Sequence, residues 1–129
     1  RTKEAISAVR RLIEEEDKKH LINDIGIEVE ACYEAYLERD VDKIGRSLTR
    51  AHKKLQELGV STKAIDDMVD IAMAKGAVGS KLTGGGRGGC VIAMAKDPVS
   101  ANNIKEAWMA YSKKSAWVLD LNEEWNEKS

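Results

Sequence analysis

Five of the six residues from Gly84 to Gly89 are glycine, and short, β-prone segments flank them, Val78 to Thr83 before and Cys90 to Ala95 after. This strand–glycine–strand block constrains the fold more than any other part of the chain. A hairpin turn needs one or two residues with positive φ, and each extra glycine costs conformational entropy. So many together imply close approach of something to the backbone. Consecutive exposed N–H groups in such a loop form an anion-binding concavity. Arg87 can add a charged fork, while Lys81 and Thr83 bracket the loop with a cation and a hydroxyl. The plain alternative is a flexible surface hairpin.

Upstream of this block the pattern is helical. Ala5, Ile6, Val9, Leu12 and Ile13 form one apolar stripe, ended by the acidic run Glu14 to Asp17, which reads as a solvated turn. A second stripe runs Ile22, Ile25, Val29, Cys32 and Tyr36, and a third runs Val41, Ile44, Leu48, Ala51, Leu55 and Leu58. The short link Glu38-Arg39-Asp40 predicts an antiparallel helical hairpin. Gly59-Val60 predicts a left-handed helix stop with Val60 packed back on the helix end. Ser61 is placed to cap a fourth helix, with Ile65, Met68, Val69 and Ala72 inward and Gly76 at its close. After the glycine block, Asp97-Pro98 predicts a helix start, with Ile104, Ala107, Trp108 and Tyr111 on the buried side. Ser115 to Leu121 predicts a third strand, and the apolar second strand predicts cover on both of its faces. The expected whole is one α+β domain over residues 1–129, with helices on one face of a small antiparallel sheet. Trp108 and Trp117 are expected in the core. Trp125, in a polar tail, is expected exposed at a domain interface.

Composition excludes several classes. Net charge is −1, with no polybasic character for nucleic acid or an anionic membrane. No apolar run approaches the roughly 20 residues needed to span a bilayer, and the opening residues carry no signal-peptide pattern. Cys32 and Cys90 make neither a disulfide framework nor a metal cluster, and fit reduced packing residues in a cytoplasmic protein. His20 and His52 lack partners at metal spacing and are expected as solvated or partly buried helix residues. No metal ligands are expected in the chain. The heptad-spaced helices could serve a protein partner, but in a chain this size such faces usually pack on their own sheet.

Generic motifs fail at the loop. Gly84, Gly86 and Gly89 satisfy G-x-G-x-x-G, yet the dinucleotide-binding form requires a helix directly afterwards, and Cys90 to Met94 reads as a strand. The Walker A ending Gly-Lys-Ser/Thr is missing. Gly89-Cys90-Val91 fits the protein-kinase G-x-V ending, but no His-Arg-Asp follows, and a chain without phenylalanine has no Asp-Phe-Gly.

The run Gly79-Ser80-Lys81-Leu82-Thr83-Gly84-Gly85-Gly86-Arg87-Gly88-Gly89-Cys90 resembles the third conserved motif of the GHMP small-molecule kinases, and within them the mevalonate kinase branch. Leu58-Gly59-Val60-Ser61, Ala74-Lys75-Gly76-Ala77 and Ala116-Trp117-Val118 resemble the same family's flanks. The resemblance covers essentially the whole chain as a C-terminal domain, and implies a ferredoxin-like plait with an added helical hairpin. It implies ATP and Mg2+ as cofactors of a two-domain parent enzyme, mevalonate as substrate, isoprenoid biosynthesis as the pathway, and a possible homodimer. Thr83 and Gly84 to Gly86 are implied to lie near the phosphate, with Gly88 and Gly89 shaping the loop. Many members have glycine in place of Arg87, which leaves its role open between phosphate contact and solvent-facing charge. The family's Pro-x-Gly-x-Gly-Leu-x-Ser-Ser-Ala loop, its N-terminal lysine segment and its catalytic aspartate are absent from these 129 residues. No catalytic residue is therefore expected in this chain, nor ATP binding by it alone. A sister kinase acting on phosphomevalonate or a sugar, and a stand-alone anion-binding module, are the alternatives.

Overall fold

The computed structural model describes residues 19–83, 90–122 and 125. The first apolar stripe, the acidic run and the loop residues 84–89 lie outside them. The described chain runs α1 (Lys19–Leu37), α2 (Val41–Glu57), α3 (Lys63–Ala74), β1 (Gly79–Thr83), β2 (Cys90–Met94) and α4 (Pro98–Ser112).

α1 and α2 form the expected hairpin. Arg39 takes a left-handed φ of 58° at the turn, and Asp40 caps α2 by accepting from the Lys43 amide at 3.1 Å. Gly59 has φ 77°, and Val60 is buried with Leu21 and Leu58, closing α2 as its sequence implies. On α1 the inward face departs from the expected stripe: Val29 is exposed, while Glu28 forms a two-pronged ion pair with Arg50 of α2 at 2.9 and 3.0 Å. A true helical period of 3.6 drifts off a 3.5-residue stripe, and Arg50 rewards the carboxylate that the drift brings round.

Thr62, not Ser61, caps α3, accepting from the Ile65 amide at 3.2 Å. The Ser61 hydroxyl is committed elsewhere, to Asp66 at 2.7 Å. Asp97 caps α4 by accepting from the Ser100 amide at 2.7 Å, with Pro98 at the first turn. Ile104 of α4 packs with Ala72 and Ala77, and the Trp108 indole donates to the Met68 carbonyl at 2.7 Å. Tyr111, expected inside, is exposed and donates its hydroxyl to Asp67 at 2.8 Å.

β1 and β2 pair antiparallel, with Leu82 opposite Val91 and Thr83 opposite Cys90. α2 and α3 lie against this sheet, so the α+β layer holds. At Gly45 and Gly79 the contact is between backbones. A Cβ placed on Gly79 would overlap the Gly45 carbonyl of α2, and one placed on Gly45 would overlap the Val78 carbonyl. β2 is not covered on both faces, since Cys90 and Ile92 are exposed.

The third strand is not formed. Residues 115–120 carry no ladder among the described residues, and Trp117 and Leu119 are 74% and 75% exposed. Apolar composition alone does not make a strand without a neighbour to pair with. Trp125 is the converse. It is only 7% exposed and packs on Ala35, Ile44 and Leu48. The Tyr36 ring lies 5.6 Å away, the Arg39 guanidinium stands over the indole at 5.9 Å, and Arg39 donates to the Trp125 carbonyl at 3.0 Å. The two tryptophans thus exchange their expected environments.

Candidate functional site

The glycine loop leaves β1 at Thr83 and re-enters β2 at Cys90, so these facing residues form its mouth. Alternation along a strand places Lys81 and Thr83 on one face and Ser80 and Leu82 on the other. Lys81 and Thr83 are both half-buried, and Cys90 is exposed. Of the sequence-nominated site residues, Lys81 and Thr83 are therefore brought to one face of β1 at the loop's root. Gly84, Gly85, Gly86, Arg87, Gly88 and Gly89 lie outside the described residues.

Lys81 does not reach into open solvent. Its ammonium donates to the Leu82 carbonyl at 2.6 Å. Burial lowers its pKa from the ordinary lysine value, with the nearby Cys32 of α1 acting in the opposite direction. Burial likewise raises the Cys32 thiol, and the Lys81 charge opposes that shift.

The feature that sequence reasoning missed is His52. Far from solvated, it is 3% exposed on α2. The Leu82 amide donates to its Nδ1 at 3.2 Å, and its Nε2 lies 3.0 Å from Asp66 Oδ1. A backbone N–H can only donate, so Nδ1 is the acceptor and the ring proton sits on Nε2, directed at the carboxylate. Ser61 donates to the same carboxylate oxygen. Burial works to raise the Asp66 carboxyl, but hydrogen bonds from Ser61, Gln56 and His52 outweigh it and hold the group below its ordinary value. The partners of His52 lie 14 and 30 residues away, and a helical period cannot reveal them. The sole local hint is that His52 directly follows Ala51 of the apolar stripe.

The sign of the Asp66 shift sets an acid response. A carboxyl depressed in the folded state adds stability above its unfolded pKa of about 3.9, and that stability is lost as pH falls through the lower folded value. Urea midpoints measured from about pH 6 down to 2 should fall more steeply for the natural chain than for Asp66→Asn, which lacks the titrating group. Equal slopes would remove Asp66 from the acid limb.

A pocket of about 150 Å³ beside His52 is lined by Thr49, Gln56, Val69, Met73 and Ser80 among others. It is about half the smallest usual ligand cavity, near 300 Å³. The chemistry on offer is at the loop mouth.

Residues 29–114 match the family model for the GHMP kinases C terminal. The chain belongs to the GHMP kinases, as a C-terminal domain. The mevalonate kinase of Thermococcus sibiricus is 37% identical over 106 residues, covering 77% of this chain and 32% of that enzyme. The galactokinase of Pyrococcus furiosus is 41% identical over 86 residues, covering 65% of this chain and 24% of that enzyme. The crystal structure of L. major mevalonate kinase in complex with R-mevalonate shares the fold at a TM-score of 0.78 and 24% identity, covering 85% of this chain and 34% of that one. The chain thus spans about a third of the length of its curated mevalonate kinase relative. Within this GHMP kinase domain the Gly79–Cys90 run divides in two. Gly79, Ser80 and Leu82 are buried against the helices, and Thr83 and Cys90 stand at the loop mouth.

Proposed function

We propose that this domain forms the phosphate-proximal wall of a mevalonate kinase active site, facing a second domain that carries the ATP-binding loop and the catalytic base. The observation that carries the reading is the strand–glycine loop–strand block, with the Thr83 hydroxyl at its mouth, in a chain whose relative over three quarters of its length is named a mevalonate kinase. In the reaction, a mevalonate hydroxyl oxygen bonds to the γ-phosphorus of ATP, the bond from that phosphorus to the bridging oxygen breaks, and ADP leaves. The hydroxyl proton passes to a base in the other domain. ATP would supply the phosphoryl group; the described residues hold no cluster of His, Cys, Asp or Glu able to bind an ion, so the Mg2+ that would offset the phosphate charge would be held by the other domain.

The work assigned to this chain is positional. In this reading Thr83 and Gly84 to Gly86 would face the transferring phosphate, Gly88 and Gly89 would shape the loop, and Arg87 would either contact the phosphate or face solvent. Lys81 braces the strand exit through the Leu82 carbonyl. Phosphoryl transfer depends on positioning and charge stabilisation together, and one wall of a cleft supplies neither completely.

The 129 residues alone should show no turnover of ATP with mevalonate, while the parent protein containing them phosphorylates mevalonate. Turnover by the isolated chain would overturn the half-site assignment. The galactokinase relative supports a second reading, a sugar kinase. Parallel assays of the parent protein with mevalonate and galactose separate the two, and a preference for galactose would replace the first.

A further inference from the structure

We propose that His52 and Lys81 are a pair of positioning residues that clamp the backbone N–H and C=O of Leu82 and so fix β1 at Thr83, the residue that bears the loop-mouth hydroxyl. The inference rests on the functional reading above, and adds His52, which that reading does not use.

In an extended strand the N–H and C=O of one residue point to the same side. At Leu82 both groups are taken by side chains: the amide donates to His52 Nδ1 at 3.2 Å, and the carbonyl accepts from Lys81 Nζ at 2.6 Å. A strand edge ordinarily satisfies such groups with another strand or with water. Here an imidazole and an ammonium do so, two residues before Gly84. Leu82 itself is 2% exposed, so its side chain is fixed at the same point. Thr83, the one loop-mouth hydroxyl, follows directly.

The imidazole is in turn held from behind. Asp66 accepts its Nε2 proton, and Ser61 anchors Asp66 from the start of α3. This chain of bonds ties the loop's root to both α2 and α3. The Asp66 link also fixes the ring tautomer, because the Nε2 proton leaves Nδ1 free to accept. Removing the imidazole leaves a buried amide without its partner, which costs more than the bond itself contributes. The strand exit then has to shift to satisfy it, and misplacement of a binding group by about 1 Å can cost on the order of a hundredfold in rate.

The test uses the parent enzyme with His52→Leu, His52→Asn and Ile104→Val. Leucine removes both bonds. Asparagine keeps an acceptor at the δ position toward Leu82 and loses the reach to Asp66. Ile104 is buried on α4 against Ala72 and Ala77 and serves as a stability control. His52→Leu should lower kcat by about tenfold or more with KM for mevalonate changed far less. His52→Asn should recover much of that loss, and Ile104→Val should keep kcat. Amide exchange should accelerate at Leu82 and Thr83 in His52→Leu and not in α4.

Unchanged kcat in His52→Leu overturns the proposal, as does asparagine faring no better than leucine. An equal kcat loss in Ile104→Val, or unaltered exchange at Leu82, does the same. If the unsubstituted parent fails to phosphorylate mevalonate, the functional reading fails by itself. The exchange at Leu82 still decides whether His52 holds the loop root.

Discussion

Replacing Gly79 with alanine should destabilise the chain by about 3 kcal/mol, lowering its thermal midpoint by about 10 °C. The added Cβ has nowhere to go. Its nearest neighbours are the carbonyl oxygen, carbonyl carbon and Cα of Gly45, all backbone of α2, so the helix must lift off the strand to admit it. Gly45→Ala should act in the same direction, its Cβ meeting the Val78 carbonyl and side chain. The sign at Gly45 is decisive. Helix propensity alone makes glycine to alanine in a helix interior stabilising by about 1 kcal/mol. Gly26 of α1 is the internal control, since a Cβ there meets nothing within 4 Å, and Gly26→Ala should stabilise. Thermal unfolding of the three variants separates the contact from the propensity. Stabilisation by Gly45→Ala would show that the two backbones are not in contact.

The second large effect is at Trp125, where substitution by alanine should cost about 3 to 5 kcal/mol, the range for emptying a buried aromatic site. The indole seals Ala35, Ile44 and Leu48 and is flanked by Tyr36 and Arg39 at the hairpin turn. Trp125→Phe should recover most of the loss, because it refills the apolar volume. Trp117→Ala, at a position 74% exposed, should change stability by about half a kcal/mol or less. Urea unfolding of the three variants checks the ranking, and a larger loss at Trp117 than at Trp125 would reverse the core assignment.

The contrast between these tryptophans shows what sequence can carry. The helices α2 and α4 were legible because their signals are local: a stripe along Ile44, Leu48 and Ala51, a glycine stop at Gly59, and a capping Asp97 before Pro98. The β1–β2 hairpin was legible for the same reason, its glycines falling between two short strand-forming runs. The cap of α3 was misread by one residue because the Ser61 hydroxyl has a partner in Asp66, and a motif cannot show which of two adjacent hydroxyls is already engaged. Trp125 depends on contacts distant in the chain, as does His52. Local polarity pointed the wrong way for Trp125, whose neighbours in sequence are polar while it packs on the apolar Ala35, Ile44 and Leu48. At the site, strand alternation was enough to put Lys81 and Thr83 on one face of β1 at the loop's root. The support behind Leu82 could not be read that way, since it joins α2, α3 and β1.

The segment from 115 to 120 has a consequence for the chain's behaviour among its own copies. Trp117, Val118 and Leu119 are exposed on backbone that carries no ladder, between Lys113-Lys114 and Asp120. Such a stretch is a template for strand pairing. Parallel, in-register stacking of two copies sets lysine against lysine and aspartate against aspartate, which charge opposes. Antiparallel pairing centred on Trp117 instead brings Lys114 opposite Asp120 at both ends. Charge therefore guards this segment against fibre-like stacking while leaving the two-copy antiparallel arrangement unguarded, and salt weakens the guard.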